Sequence, residues 1–359
     1  MNPTIDLPDD AALPGIVAMR ALGVTRALGL ARALLALGLE DAPVAMNLVG
    51  YSPGARATLE VRSGRQRFTL KAYAHDAEPE AALYQALAAA GFGEGGRAGA
   101  RVPPLLAWEP SLQVLALGWL EGPPARQLIR QGQGRRAGAM AARWLWSAAS
   151  APVKLGPTVG VAQVLLQAGK SVAQLAGADR VLGAAAKAVA VALARQPPSE
   201  STPRLVHGTL YARHILDLGD EPGEPGVPGV IDWQRFGQGP VELDAAVFLA
   251  TLTRLRRHDE AAGEASRAEE AFLTETRGLV DPRALRWHRA AALLHLASRL
   301  LRRDTAAAAR PLVDEAAQLT ERVTAAPRRA ALELELVLQA LSTRPATPEE
   351  LDEIRRLLS

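Results

Sequence analysis

The 359-residue chain is 48% hydrophobic, contains no cysteine and carries a formal net charge of +3. Disulfides, thiolate catalysis and cysteine-ligated metals are therefore excluded, and the apolar content suffices for one large domain or two lobes. No uncharged apolar run is long enough to span a bilayer; the longest, LGPTVGVAQVLLQAG (155–169), is broken by Gly, Pro, Gln and Thr. With so slight a charge no nucleic-acid partner is expected. The acidic, polar start MNPTIDLPDD is unlike a secretory signal, so a cytoplasmic location is expected.

In chain order, residues 10–40 alternate Ala/Leu with Arg at helical spacing and predict one or two amphipathic helices ahead of the main fold. NLVGYSPGARATLEV, the turn SGRQ and RFTLKAYA then predict β-hairpin structure. In YSPGARAT (51–58) Gly54 is the one glycine, which fits an ordinary turn better than a phosphate-covering loop. A helix is predicted over 77–91, with Pro79 in its first turn and Gly91 past its end. Two more strands, LLAWEP and LQVLALGWL, lead to EGPP (121–124), read as a hinge. Helix signals dominate thereafter, at 125–150, 160–196, 241–257, 260–277, 282–303, 309–325, 327–342 and from Thr347. The exception is 204–233, two short strands joined by EPGEPGVPG. The plan is α+β: an N-terminal helical extension (1–45), a small β-rich lobe (46–120) and a larger helical lobe (121–359) with one inserted hairpin (204–233). Ligands commonly bind between two such lobes.

Four residues attract chemical interest. Lys71 lies on a predicted strand in a chain whose only other lysines are Lys154, Lys170 and Lys187. A compact ammonium there suits phosphate; a chance surface lysine is the alternative. On the following helix Glu80 shares a face with Leu83 and Leu87, while Glu78 falls off it. An inward carboxylate needs a partner, and Lys71 is the nearest cation; a glutamate stabilised by the helix dipole is the alternative. Asp232 ends the hydrophobic strand GVIDW, where a carboxylate suits a hard divalent cation. Asp244 is given a structural role, bracing the loop before the next helix. His288 and His295, seven apart, read as surface or boundary histidines. The acids of 259–275 and the clusters RLRRH (254–258) and RLLRRD (299–304) read as solvated helix faces, with peripheral contact to an anionic membrane as the alternative for the arginines.

HGTLYARHIL, a hairpin, and VIDWQRFGQGPVELDAAVFL together resemble the catalytic segment of aminoglycoside and choline-kinase-like phosphotransferases, which have the bilobal protein-kinase-like fold. That pattern is His-Gly-Asp, four residues, Asn, then a strand ending in Ile-Asp-Trp. The resemblance spans roughly 46–300. The Leu-Tyr-x-x-His variant is similar to lipopolysaccharide-core kinases, which Tyr211, His214, Gln234 and Arg235 match. The resemblance implies ATP and Mg²⁺ (or Mn²⁺) as cofactors. Lys71, held by Glu80, would grip the α/β-phosphates, the hinge at Leu117, Trp119 and Leu120 would face adenine, and Asp232 would bind metal. His207, Thr209 and His214 would form the catalytic loop, with His207 bracing it and His214 as a possible second metal ligand. Two departures stand out: Thr209 replaces the catalytic Asp, and His214 replaces the Asn. A threonine hydroxyl is no general base at neutral pH, and loss of such a base costs about 10²–10⁴-fold. Three functions follow: a phosphotransferase acting on a hydroxyl of a small molecule or sugar, a pseudokinase that binds nucleotide or a partner, and a scaffold. Scarce aromatics disfavour a choline-type cage, and the interspersed acids disfavour a polycationic acceptor, leaving a neutral or anionic sugar-like one.

Overall fold

The computed structural model describes residues 7–22, 44–199, 201–219, 226–257, 261–301 and 306–321. Most of the predicted 10–40 helical region and the helices predicted at 327–342 and from Thr347 lie outside them. The chain forms two compact units, one of Met1–Gly122 with Gly229–Gln234, the other of Pro123–Pro228 with Arg235–Ser359.

The first unit is built on a five-stranded sheet of β1 (Val44–Ser52), β2 (Arg56–Ser63), β3 (Gln66–Tyr73), β4 (Leu105–Glu109) and β5 (Val114–Gly118), ordered β1-β2-β3-β5-β4. Every neighbouring pair is antiparallel. Alternation sorts the side chains onto two faces. Ala57, Leu59, Val61, Phe68, Leu70, Ala72, Val114 and Ala116 form one apolar cluster with Leu13, Ile16 and Met19. Those last three belong to or adjoin α1 (Pro14–Leu22). The helix read from sequence as lying ahead of the fold is thus part of its core. Gly15 permits this approach, because a Cβ there would strike the Val114 side chain. The opposite face, carrying Lys71, Tyr73 and Leu115, packs against α2 (Glu78–Leu87), where Ala77, Ala81, Tyr73 and Leu115 cluster. Gly91, in the left-handed region at φ 89°, ends the single wide turn that follows α2.

Residues 229–234, the end of the predicted hairpin, belong to this unit. Val230 N–H donates to the Arg101 carbonyl at 2.8 Å, and the Trp233 indole, fully buried, donates to the Val230 carbonyl at 3.0 Å.

The second unit is helical: α3 (Ala125–Arg130), α4 (Gly134–Ser150), α5 (Val161–Ala178), α6 (Arg180–Arg195), α7 (Val241–Leu255), α8 (Ala262–Glu275), α9 (Pro282–Leu300) and α10 (Ala306–Glu321). The short strands β6 (Arg204–Val206) and β9 (Gly237–Gly239) pair antiparallel, and β7 (Ile215–Asp217) also belongs here, whereas β8 (Pro228–Val230) has only Pro228 in this unit. The stretch predicted as one helix over 160–196 is two, because the Asp179 carboxylate accepts the Leu182 N–H at 2.7 Å and starts α6. Asp281 caps α9 in the same way through Ala284 N–H. Leucines and alanines of α5, α6, α9 and α10 form the core. The acids of α8 are not simply a solvated face. Glu269 binds Arg256 and Arg289, Arg289 reaches Glu315 at 2.8 Å, and Glu264 accepts the Gly134 N–H at 2.7 Å. Among the described residues no helix is long and apolar enough to cross a membrane.

Candidate active site

In the first unit, β3 and α2 bring Lys71 and Glu80 together. Both are buried, and Lys71 Nζ donates to Glu80 Oε1 at 2.9 Å. The Glu80 face expected from its spacing with Leu83 and Leu87 is the buried one, while Glu78 is exposed. Tyr73, two residues along β3 from Lys71, donates its hydroxyl to Glu80 Oε2 at 2.6 Å. Burial by itself would lower the Lys71 pKa. The Glu80 carboxylate, with Tyr73, Tyr84 and Asp232, outweighs it and holds the ammonium well above the ordinary lysine value.

Asp232, 161 residues from Lys71, completes the group: Nζ lies 3.3 Å from its Oδ1. Arg56, the cross-strand neighbour of Tyr73, places its guanidinium 4.0 Å from the same oxygen, and Gln234 Nε2 also donates to it. Asp232 occupies the left-handed region at φ 74°. A non-glycine residue held there is strained, and such strain persists where surrounding contacts over-determine it. Sequence reading gave Arg56 and Tyr73 no role in the site, and Gln234 entered it only through the resemblance to lipopolysaccharide-core kinases. Strand parity put Tyr73 and, through the β2–β3 register, Arg56 on the Lys71 face; only the fold put both beside the carboxylates.

The predicted hinge residues differ among themselves. Leu117 is buried in β5, while Trp119 and Leu120 are half-buried. The Arg67 guanidinium lies 3.8 Å over the Trp119 ring and binds Glu60 at 2.7 Å and Glu121 at 2.6 Å, which fixes this segment.

The second unit carries the other predicted loop. The Asp244 carboxylate accepts the His207 N–H at 2.6 Å and the Gly208 N–H at 2.8 Å. Its brace is therefore on the 207–209 loop, not on the loop before its own helix. Burial pushes its pKa up to about 7, against the two N–H bonds that favour the charged form. Gly208 has φ 76°, and a Cβ there would fall on the Arg235 carbonyl oxygen. His207 is fully buried; its Nδ1 takes the Thr209 N–H at 3.3 Å, with Thr209 Oγ1 at 3.4 Å. His214 is buried too, and its Nδ1 donates to the Thr209 carbonyl at 2.7 Å. Thr209 is thus held through its backbone by both histidines.

One sequence expectation is corrected: His288 is buried rather than at the surface or its boundary, whereas His295 is half-buried, as a boundary residue is, and burial pushes each down to about 4. His288 lines a cavity of about 500 Å³ with Glu242, Asp281 and Gln238. Gly239, which also lines it, pairs with Arg204 at the end of the β6–β9 ladder away from His207.

The sequence matches the model of the Phosphotransferase enzyme family over residues 49–285. The chain belongs to that family. Its architecture is also that of solved structures. A thermostable mutant of the aminoglycoside phosphotransferase APH(4)-Ia, in ternary complex with ADP and hygromycin B, is 14% identical, with a TM-score of 0.56 over 80% of this chain and 97% of that one. A putative aminoglycoside phosphotransferase from Ralstonia eutropha is 15% identical, with a TM-score of 0.51 over 82% and 99%. No curated protein sequence matches the chain. With its antiparallel sheet unit and mainly helical unit, this family member has the α+β protein-kinase-like fold.

Proposed function

We propose that the chain is an ATP-dependent phosphotransferase acting on a hydroxyl of a small molecule or sugar, with a modified catalytic loop. The observation that carries this reading is the Lys71–Glu80–Asp232 group: an ammonium 2.9 Å from one carboxylate and 3.3 Å from another that lies 161 residues away. Lys71 holds the α/β-phosphates, Glu80 and Tyr73 hold Lys71, and adenine lies against the segment of Leu117, Trp119 and Leu120.

Asp232 fits a magnesium or manganese ion, because it offers hard carboxylate oxygens. Among the described residues no three metal-ligating side chains cluster, so the ion would complete its shell with phosphate oxygens and water. When bound, it neutralises charge on the transferring phosphoryl group. His214 Nδ1 serves the Thr209 carbonyl and is not offered to an ion. The ATP chemistry fits a cytoplasmic setting.

Thr209 stands where the family pattern has its base, so transfer rests on positioning and charge neutralisation, which dominate this chemistry. The Tyr211, His214, Gln234 and Arg235 match to lipopolysaccharide-core kinases favours a neutral or anionic sugar-like acceptor. Glu264 and Glu269, already paired with arginines, offer no acidic surface to a polycation. The Thr209 substitution also favours a second reading, a pseudokinase that binds nucleotide without transfer. Calorimetry with ATP and Mg²⁺, followed by turnover with a sugar-acceptor panel, separates them. Binding abolished by Lys71→Ala and Asp232→Ala, with turnover that Thr209→Asp raises about 10²–10⁴-fold, supports the first. Binding without turnover in either protein leaves the second, and no binding at all removes both.

A further inference from the structure

Three donors converge on Asp232 Oδ1. Lys71 Nζ lies 3.3 Å from it and the Arg56 guanidinium 4.0 Å, and Gln234 Nε2 donates to it as well. Glu80 stands on the other side of Lys71, so the group sets two cations against two carboxylates and has no formal net charge. A divalent ion coming alone to Asp232 would meet an oxygen already shared by two positive charges. Like charges about 4 Å apart repel strongly wherever water is partly excluded. The two cations are not held alike. Lys71, with a side chain 5% exposed, is fixed by Glu80 at 2.9 Å. Arg56 opens β2 opposite Tyr73, on the face that carries Lys71. Its side chain is 30% exposed, and Asp232 is its one ion-pair partner among the described residues. Arg56 is therefore the cation that can leave.

We propose that Arg56 guards Asp232. It keeps a lone divalent cation off the carboxylate and yields when the ion arrives with anionic phosphate, so that metal binding depends on nucleotide. The inference rests on the phosphotransferase reading and adds to it a residue that selects the metal–nucleotide complex over the bare ion. Phosphate offsets the charge of the ion, and it offers a guanidinium charge-assisted, bidentate bonds in place of a loose contact with one carboxylate oxygen. Lys71 cannot act in this way, because Glu80 holds it in the buried face.

The test measures Mn²⁺ binding to the full chain by electron paramagnetic resonance, without nucleotide and with ADP. The wild type should bind Mn²⁺ at least about tenfold more tightly with ADP than without it. Arg56→Gln, which keeps a polar stem and drops the charge, should tighten nucleotide-free binding about tenfold. Arg56→Lys keeps the charge and should leave it as in the wild type. Adding Asp232→Asn to Arg56→Gln should abolish the gain, which assigns it to this carboxylate. The gap between the two conditions should narrow in Arg56→Gln, because the guard is gone. Equal nucleotide-free Kd in the wild type and Arg56→Gln, or a gain that survives Asp232→Asn, overturns the inference. Failure of the wild type to bind ADP removes the functional reading instead; the nucleotide-free measurements still decide whether Arg56 guards Asp232.

Discussion

Replacing Glu80 by alanine removes a partner that the fold does not duplicate. Lys71 would keep a side chain only 5% exposed, with Asp232, at 3.3 Å and 28% exposed, as its remaining carboxylate. The Tyr73 hydroxyl would lose its acceptor as well. Breaking one side of a buried ion pair costs about 3–5 kcal/mol, and an orphaned buried hydroxyl about 1–3 kcal/mol. The two overlap, so Glu80→Ala is expected to lose about 4 kcal/mol, read from urea denaturation followed by tryptophan fluorescence. The double variant Lys71→Met with Glu80→Leu should be markedly more stable than Glu80→Ala, because both charges leave together. The Lys71 pKa is raised, so its contribution is fully present below the ordinary lysine value and is lost only as pH rises above it. The cost should therefore be the same at pH 6 and pH 9. A loss under about 1 kcal/mol, or a double variant no better than the single, would refute the idea that Glu80 holds a buried ammonium in place.

Ile16→Ala should cost about 2–5 kcal/mol in the same assay, because Ile16 is fully buried in the sheet's core cluster; a helix merely appended to the fold would give nearly none. Gly208→Ala forces a Cβ onto the Arg235 carbonyl and a left-handed backbone onto alanine. It should lose at least about 1–3 kcal/mol, together with hydrogen-exchange protection of the His207 and Gly208 amides. Acid and neutral limbs of the stability curve should have opposite origins. His288 and His295, pushed down to about 4, contribute stability that is present above their usual pKa near 6.5 and is lost as pH falls toward 4. Asp244, pushed up to about 7, contributes stability present below its usual 3.8 and lost as pH rises toward 7. His288→Gln should accordingly make the acid limb shallower by up to about 1.4 kcal/mol per pH unit, and an unchanged slope between pH 4.5 and 6.5 would count against its being buried neutral.

The sequence by itself determined the elements that carry a strong period. Alternation in RFTLKAYA placed Lys71 and Tyr73 on one sheet face, and the i, i+3, i+7 spacing of Glu80, Leu83 and Leu87 placed a carboxylate inward, because side-chain direction follows from the backbone repeat alone. HGTLYARHIL and VIDWQRFGQGP were specific enough to indicate the family. Local pattern misread elements whose fate depends on distant partners. The helix of Leu13 and Ile16 looked like an appendage because amphipathicity does not say what the apolar stripe will cover. Glu264 and Glu269 looked solvated because their arginine and amide partners come from other helices. The tertiary structure alone decided that residues 229–234 join the β-rich unit, and with them that Asp232 meets Lys71 and Arg56. It alone aimed Asp244 at the His207 loop. These contacts join residues tens to more than a hundred positions apart, and no local period encodes them. They exist because burying the sheet's two faces and the helical core leaves the chain few ways to run, and the charged groups are carried where the packing puts them.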